Sequence, residues 1–136
     1  MNDSILNSIK KMLGITEEYE HFDQDIIAHI NSAFMILTQL GVGPSNGFFI
    51  TDKSATWSNF ITNGETTSKS RSRLRELAIT QAANSTTNVG MIQSYIYMKV
   101  KLLFDPPQNS FLVDSLNKSI SEYEWRLNAM FDKPIY

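Results

Sequence analysis

Apolar positions recur along much of this chain at steps of three and four residues, the period of an amphipathic helix. The most legible stretch runs from Tyr95 to Asn128, where two such patterns flank Pro106-Pro107. Proline has no amide hydrogen and pushes the preceding residue toward extended geometry, so the first helix is predicted to stop near Phe104. Asn109 or Ser110 then caps the second by accepting a bond from a free backbone N–H. So short a break makes the two helices antiparallel neighbours. This hairpin is expected to be the scaffold of the fold.

The two helices differ in how much they must bury. In the second, Val113, Leu116, Ile120, Tyr123, Leu127 and Met130 form one apolar stripe. In the first, Ile92, Ile96, Val100 and Leu103 make one stripe, and Met91, Tyr95, Met98 and Leu102 make another beside it. Only Gln93, Tyr97 and Lys101 leave a polar or amphipathic strip. A helix apolar over most of its circumference needs neighbours on two sides, which predicts a place at the centre of a bundle.

Upstream, Ser4 to Leu13 reads as a short helix with Ile5, Ile9 and Met12 on one face, capped by Asp3 or Ser4 and ended by Gly14. An acidic run of Glu17, Glu18, Glu20, Asp23 and Asp25 leads into a second helix, where it complements the backbone dipole. From Asp23 to Leu40 that helix puts Ile26, Ile30, Ala33, Leu37 and Leu40 on one face, widened by Ile27 and Phe34, and Gly41 ends it. Phe48-Phe49-Ile50 is an apolar run open to two readings, an extended segment or a core plug. Thr56 to Ile61 reads as one or two helical turns, with Trp57 and Phe60 three apart and able to dock together. Gly64 to Asn88 is rich in Ser, Thr and Asn, with a weak helical pattern from about Ser72 to Ala83. With little to bury, the segment is read as a long mobile loop. The fold class is thus all-α: a small helical bundle built on an antiparallel hairpin.

The totals narrow the function more than they define it. A length of 136 residues suits a single domain over 1–136, and a net charge of -2 gives no global field favouring nucleic acid or acidic lipid. There is no cysteine, hence no disulfide or thiolate metal site. The N-terminus lacks a signal peptide's apolar core, and no apolar run approaches the ~20 residues that span a bilayer. The composition reads as a soluble intracellular chain without membrane contact.

Catalytic chemistry finds no support in the motifs. The only histidines are His21 and His29, without an HExxH pattern, and Asp25 and His29 at four-residue spacing read as a surface pair on a helix. No serine sits in GxSxG or SxxK, and Gly41-Val42-Gly43-Pro44 lacks the Lys-Ser or Lys-Thr of a phosphate loop. No enzyme, cofactor or metal is expected. Two features stand apart. Lys69, Arg71, Arg73 and Arg75 alternate along the loop and suit nonspecific phosphate contact better than base reading, or form a solvated basic loop. Trp125 lies roughly opposite the buried stripe of the last helix, as does Phe111, among Asp114, Lys118 and Glu122. Aromatic residues on a polar face meet another surface, either a partner or a segment of the same subunit.

Three blocks carry a family resemblance: HINSAFMILTQLGVGP at 29–44, YIYMKVKLLFDPP at 95–107 and EYEWRLN at 122–128. With TWSNF at 56–60, they resemble the head–tail connector (adaptor) proteins of long-tailed bacteriophages, also known as DNA-packaging proteins. The resemblance implies a small helical subunit without catalysis, at the head–tail junction of a virion assembled in the host cytoplasm. It implies a ring of copies, commonly twelvefold, beneath the portal protein, extending the DNA channel and presenting a platform to a head-completion or tail protein. It assigns no ligand to any single residue. The alternative is a small helical nucleic-acid-binding module using residues 69–75, which would bind duplex as a monomer with steep salt dependence.

Overall fold

The computed structural model describes residues 3–44, 46–60 and 86–131. Four helices organise them: α1 (Ile5–Leu13), α2 (Asp23–Gln39), α3 (Thr86–Phe104) and α4 (Ser110–Phe131). The all-α expectation holds, with one isolated bridge, Ser4 to Thr56, beside the helices. The basic residues Lys69, Arg71, Arg73 and Arg75, and most of the expected 64–88 loop, lie outside the described residues. The end of that segment is helical, because α3 already begins at Thr86.

Each described end has a local cause. Ser4 caps α1, its Oγ accepting from the Asn7 N–H at 3.2 Å. Gly14 ends it at φ 85, a left-handed conformation that costs glycine nothing, and the Ile15 N–H reaches back to the Lys10 carbonyl at 2.8 Å. At the proline turn Asn109 is the cap, its Oδ1 accepting from the Phe111 N–H at 2.8 Å. α3 stops at Phe104 as the prolines require.

α3 occupies the centre and contacts each of the other three helices. Val89, Ile92, Tyr95, Ile96, Met98 and Val100 are all buried on it. Its partner in the most extensive interface is α2, whose Ile26, Ile27, Ile30, Ala33, Phe34 and Leu37 are buried. The two run antiparallel: Phe22, at the start of α2, packs edge-on to Phe104 at the end of α3, with centroids 5.3 Å apart. The expected hairpin of α3 and α4 is present. Of the described residues in its stripe, α4 buries Ile120 and Leu127 fully and leaves Val113, Leu116 and Tyr123 half-buried. The α2–α3 pair carries the larger share of the core, because α2 offers a wider apolar face than α4.

Two further residues depart from expectation. Met12 is exposed, since the buried face of α1 is centred on Leu6, Ile9 and Leu13 and leaves Met12 at its flank. Leu103 is exposed as well, in the last turn of α3 before the proline break.

The segment after α2 resolves in favour of the extended reading. Phe48 packs on Phe34 and Phe60, Phe49 turns outward and Ile50 inward, an alternation proper to extended chain. Asn31 holds this segment to α2 with a two-point bond, accepting from the Ile50 N–H at 2.7 Å and donating to its carbonyl at 2.9 Å. Thr56 and Asn59 then cap a helical turn reciprocally. Trp57 and Phe60 of that turn are buried in different company. The Trp57 indole donates to Ser8 Oγ on α1, and Phe60 packs on Phe34 of α2. Phe60 also comes so near Gly43, at φ 87, that a Cβ there would lie 2.7 Å from the ring.

α4 is fastened to α3 by a buried polar bond as well as by apolar packing. The Tyr95 hydroxyl, on a fully buried side chain, donates to Glu124 Oε2 at 2.7 Å. Burial pushes its pKa far above the ordinary tyrosine range, and the bond to Glu124 and that carboxylate's charge add to the shift. At the far end, Asn128 Nδ2 donates to the Leu40 carbonyl at 3.2 Å, joining the close of α4 to the close of α2.

Two measurements test this packing. Leu127→Ala should cost ~2–5 kcal/mol, and Leu116→Ala distinctly less because Leu116 is only half covered; thermal unfolding that ranks them the other way would mean the inner face of α4 is misassigned. A raised folded-state pKa favours the protonated tyrosine, so its contribution is complete below the unfolded value of ~10 and is lost as pH rises beyond it. Melting curves taken from pH 8 to 11 should therefore fall more steeply for the native chain than for Tyr95→Phe. Parallel curves would refute a protonated, buried Tyr95.

Candidate functional site

The features of α4 that pointed outward in the sequence do so in the structure. Trp125 is 73% exposed and Phe111 71%, the two most exposed large apolar side chains among the described residues. At ~100° per residue they sit ~160° round the helix from the Ile120–Leu127 seam. Lys118 lies midway between them, and all three recur at seven-residue spacing along one exposed stripe. Beside Trp125, Arg126 bonds back to Glu122 at 2.9 Å, so this pair of charges is already matched within the helix.

A second surface was not foreseen. An open cleft of about 410 Å³ lies where the end of α1, the start of α2 and the end of α3 meet, lined by Leu13, Ile15, Tyr19, Phe22, Phe104 and Asp105. Its wall is a string of ring contacts: Tyr19 on Phe22, His21 on Phe22, and Phe22 on Phe104. His29 also meets Phe104, at 6.4 Å between ring centroids, so both histidines belong to this aromatic cluster. Asp105, at the rim, pairs with Lys101 at 3.0 Å.

The cleft owes its shape to a residue that sequence reasoning passed over. Lys10 is 1% exposed. Its Nζ donates to the carbonyls of Glu17 at 3.0 Å and Tyr19 at 2.7 Å, and stands 2.8 Å from Asp23 Oδ1. That last contact is an ion pair without hydrogen-bond alignment, because the same Asp23 oxygen has no hydrogen-bond partner. Lys10 thereby fixes the 15–22 segment, which supplies three lining side chains of the cleft. One sequence signal existed: Lys10 follows Ile9 and lies four residues after Leu6, on the side of α1 that must be buried.

These surfaces can recognise a partner; nothing in their geometry assembles a reaction. Among the described residues no group of three or more His, Asp or Glu side chains is placed to hold a metal ion, and no helix is long and apolar enough to cross a membrane. The basic residues Lys69, Arg71, Arg73 and Arg75 fall outside the described residues.

Comparison with known proteins gives one match. A family model described as phage connector protein covers residues 5–134. No curated protein and no solved structure matches the chain. With the match running over nearly its whole length and an all-helical architecture in place, the chain belongs to the phage connector protein family, structural components of bacteriophage head–tail connections.

Proposed function

We propose that this chain is a single-domain subunit of a ring seated beneath the portal, where it extends the DNA channel and offers a platform to a head-completion or tail protein. The observation that carries the proposal is the family match over residues 5–134, joined to an aromatic stripe on α4 that the subunit leaves uncovered. A connector needs no chemistry. It needs a rigid body, surfaces that mate repeatedly, and a channel wall that tolerates DNA of any sequence.

The rigid body is the α2–α3 pair with α4 fastened by Tyr95 and Asn128. Trp125 and Phe111 are the proposed mating residues, because burying a large exposed aromatic side chain is the commonest source of strong interface energy. The proposed phosphate-facing groups are Lys69, Arg71, Arg73 and Arg75, on their sequence pattern alone. Four charges per chain bind DNA weakly, but a ring multiplies them at high effective concentration. Electron microscopy of the purified protein with and without portal-bearing capsids tests the reading as a whole. Closed rings, free or at the portal vertex, are expected, and a monomer that never associates with either would overturn it.

Two variants probe the parts. Trp125→Ala should keep its helical circular dichroism and melting temperature, since the side chain is exposed, yet lose ≥2 kcal/mol per subunit contact and fail to join heads to tails. Normal particle yield would remove Trp125 from the interface, and an unfolded variant would place it in the core. Changing Lys69, Arg71, Arg73 and Arg75 together to Gln should leave melting almost unchanged and impair genome retention. Particles that hold their DNA normally would make the basic stretch passive. Tight, salt-sensitive duplex binding by the native monomer, lost in this variant, would favour a nucleic-acid-binding module instead.

A further inference from the structure

We infer that copies of this chain exchange α4: the helix leaves its own α3, pivots at the 105–109 linker and takes the same seat on the α3 of a second copy. The inference goes beyond the ring reading, which requires contact between copies but not this contact.

Separability is the first observation. α1, α2 and α3 pack on one another in all three pairings, whereas α4 packs chiefly on α3. Every buried apolar residue described, apart from Ile120 and Leu127, lies outside α4. The three-helix body therefore keeps its own core when α4 departs. The stripe of α3 that meets α4 is marked by Tyr95, bonded to Glu124, and carries Met91, Met98 and Leu102 at helical spacing from it.

The pivot is the second. Phe104 is held at the close of α3 by Phe22. Past it, Asp105, Pro106, Gln108 and Asn109 are exposed and Pro107 half-exposed. The hydrogen bonds of this linker reach no further than Lys101 on one side and Val113 on the other. Swinging α4 about it breaks no hydrogen bond to α1 or α2, and the two prolines keep α3 and α4 from fusing into one helix. What fastens α4 lies in its second half. No side chain from 110 to 119 is fully buried, while Ile120, Leu127 and the bonds of Glu124 and Asn128 all come after. Release of that half releases the whole helix.

The occupant is the third. A bared stripe on α3 calls for an apolar seam that also brings a carboxylate to the Tyr95 hydroxyl. The α4 of another copy supplies both, in the same register. Exchange thus remakes each contact it breaks, which is why swapping an identical element is a low-cost route to association. It leaves the position of α4 on α3 unchanged and alters only which copy provides it. Reach is sufficient. Five linker residues span ~17 Å when extended, and packed helices lie about 8–10 Å apart. Together these allow ~25 Å between the α3 axes of donor and acceptor, room for two helices of about 10–12 Å diameter side by side. A copy that gives its α4 on one side and receives one on the other makes a heterologous contact, and such contacts close into rings when the rotation divides the circle.

The chain has no cysteine, so introduced thiols report the seat of α4 without background. The Tyr95–Glu124 bond sets an antiparallel register that brings Met98 about level with Ile120. The double variant Met98→Cys with Ile120→Cys, oxidised as a dilute monomer, should close within the chain and run as a compact monomer on a nonreducing gel. Tagged Met98→Cys mixed with untagged Ile120→Cys, assembled and then oxidised, should give the mixed dimer on the same gel. In hydrogen exchange of the native chain, the amides of α4 should exchange about tenfold or more faster than those buried in α2. Rings without the mixed dimer, from variants whose double counterpart closes within the chain, would overturn the exchange and leave the ring reading standing. So would α4 amides that exchange only together with those of α2, whatever the thiols report. A mixed dimer without rings in electron microscopy would keep the exchange and remove the ring reading.

Discussion

A single buried ammonium group holds the start of this fold together. Burying a charge costs several kcal/mol unless partners replace its water, and the Lys10 ammonium donates to two carbonyls and stands in an ion pair with one carboxylate. Those acceptors come from the segment after α1 and from the first residue of α2, so the cation ties three consecutive pieces of chain at one point. An apolar side chain in its place would leave the carbonyls of Glu17 and Tyr19 without that donor. The arrangement ties the placement of α1 on α2 to three acceptors gathered round one nitrogen. The ring contacts of Tyr19, Phe22 and Phe104 hang from this knot, and with them one wall of the cleft.

From there the architecture is a matter of how apolar area is shared. α3 is apolar over most of its surface, and α1, α2 and α4 all cover it. α2 offers six buried side chains and takes the largest share. α4 offers a narrower seam and compensates with two polar attachments, one at Tyr95 and one at Leu40. A helix held mainly by one seam presents the rest of its circumference to solvent. That gives α4 a rigid position and a free outer face, the two properties an assembling surface requires.

How much of this was legible depended on the kind of signal. Helix existence, the proline break, the glycine ends and the central place of α3 follow from periodicity and local sterics, and all could be read directly. So could the outward aspect of Trp125 and Phe111, because a wheel drawn on the buried seam fixes the opposite face. The relative weight of the helix pairs could not be read, since it depends on which apolar faces meet across long sequence separations. Met12 and Leu103 show the same limit: both have the right period, yet one lies at the flank of its packed face and the other in a last turn beside the break. Lys10 failed for a different reason. The acidic run after α1 looked like dipole matching, and nothing local distinguishes Asp23, which meets Lys10, from Glu17, which contributes only its backbone carbonyl.

The half-buried seam of α4 also links folding to assembly. Any partner that binds only the folded chain adds its binding energy to the folding equilibrium, by an amount that grows with occupancy. α4 is where that gain acts most strongly, because Val113, Leu116 and Tyr123 are only partly covered in the isolated subunit. A lone subunit of this size has few kcal/mol to spare, and its outer helix is the element with the least cover. Contacts on the outer stripe would further restrain the helix whose inner seam is only partly covered. In the proposed ring, neighbours would complete that restraint. Exposed aromatic side chains such as Phe111 and Trp125 are a liability on a free monomer, and covering them in the proposed ring would add to the stability of the subunit that carries them.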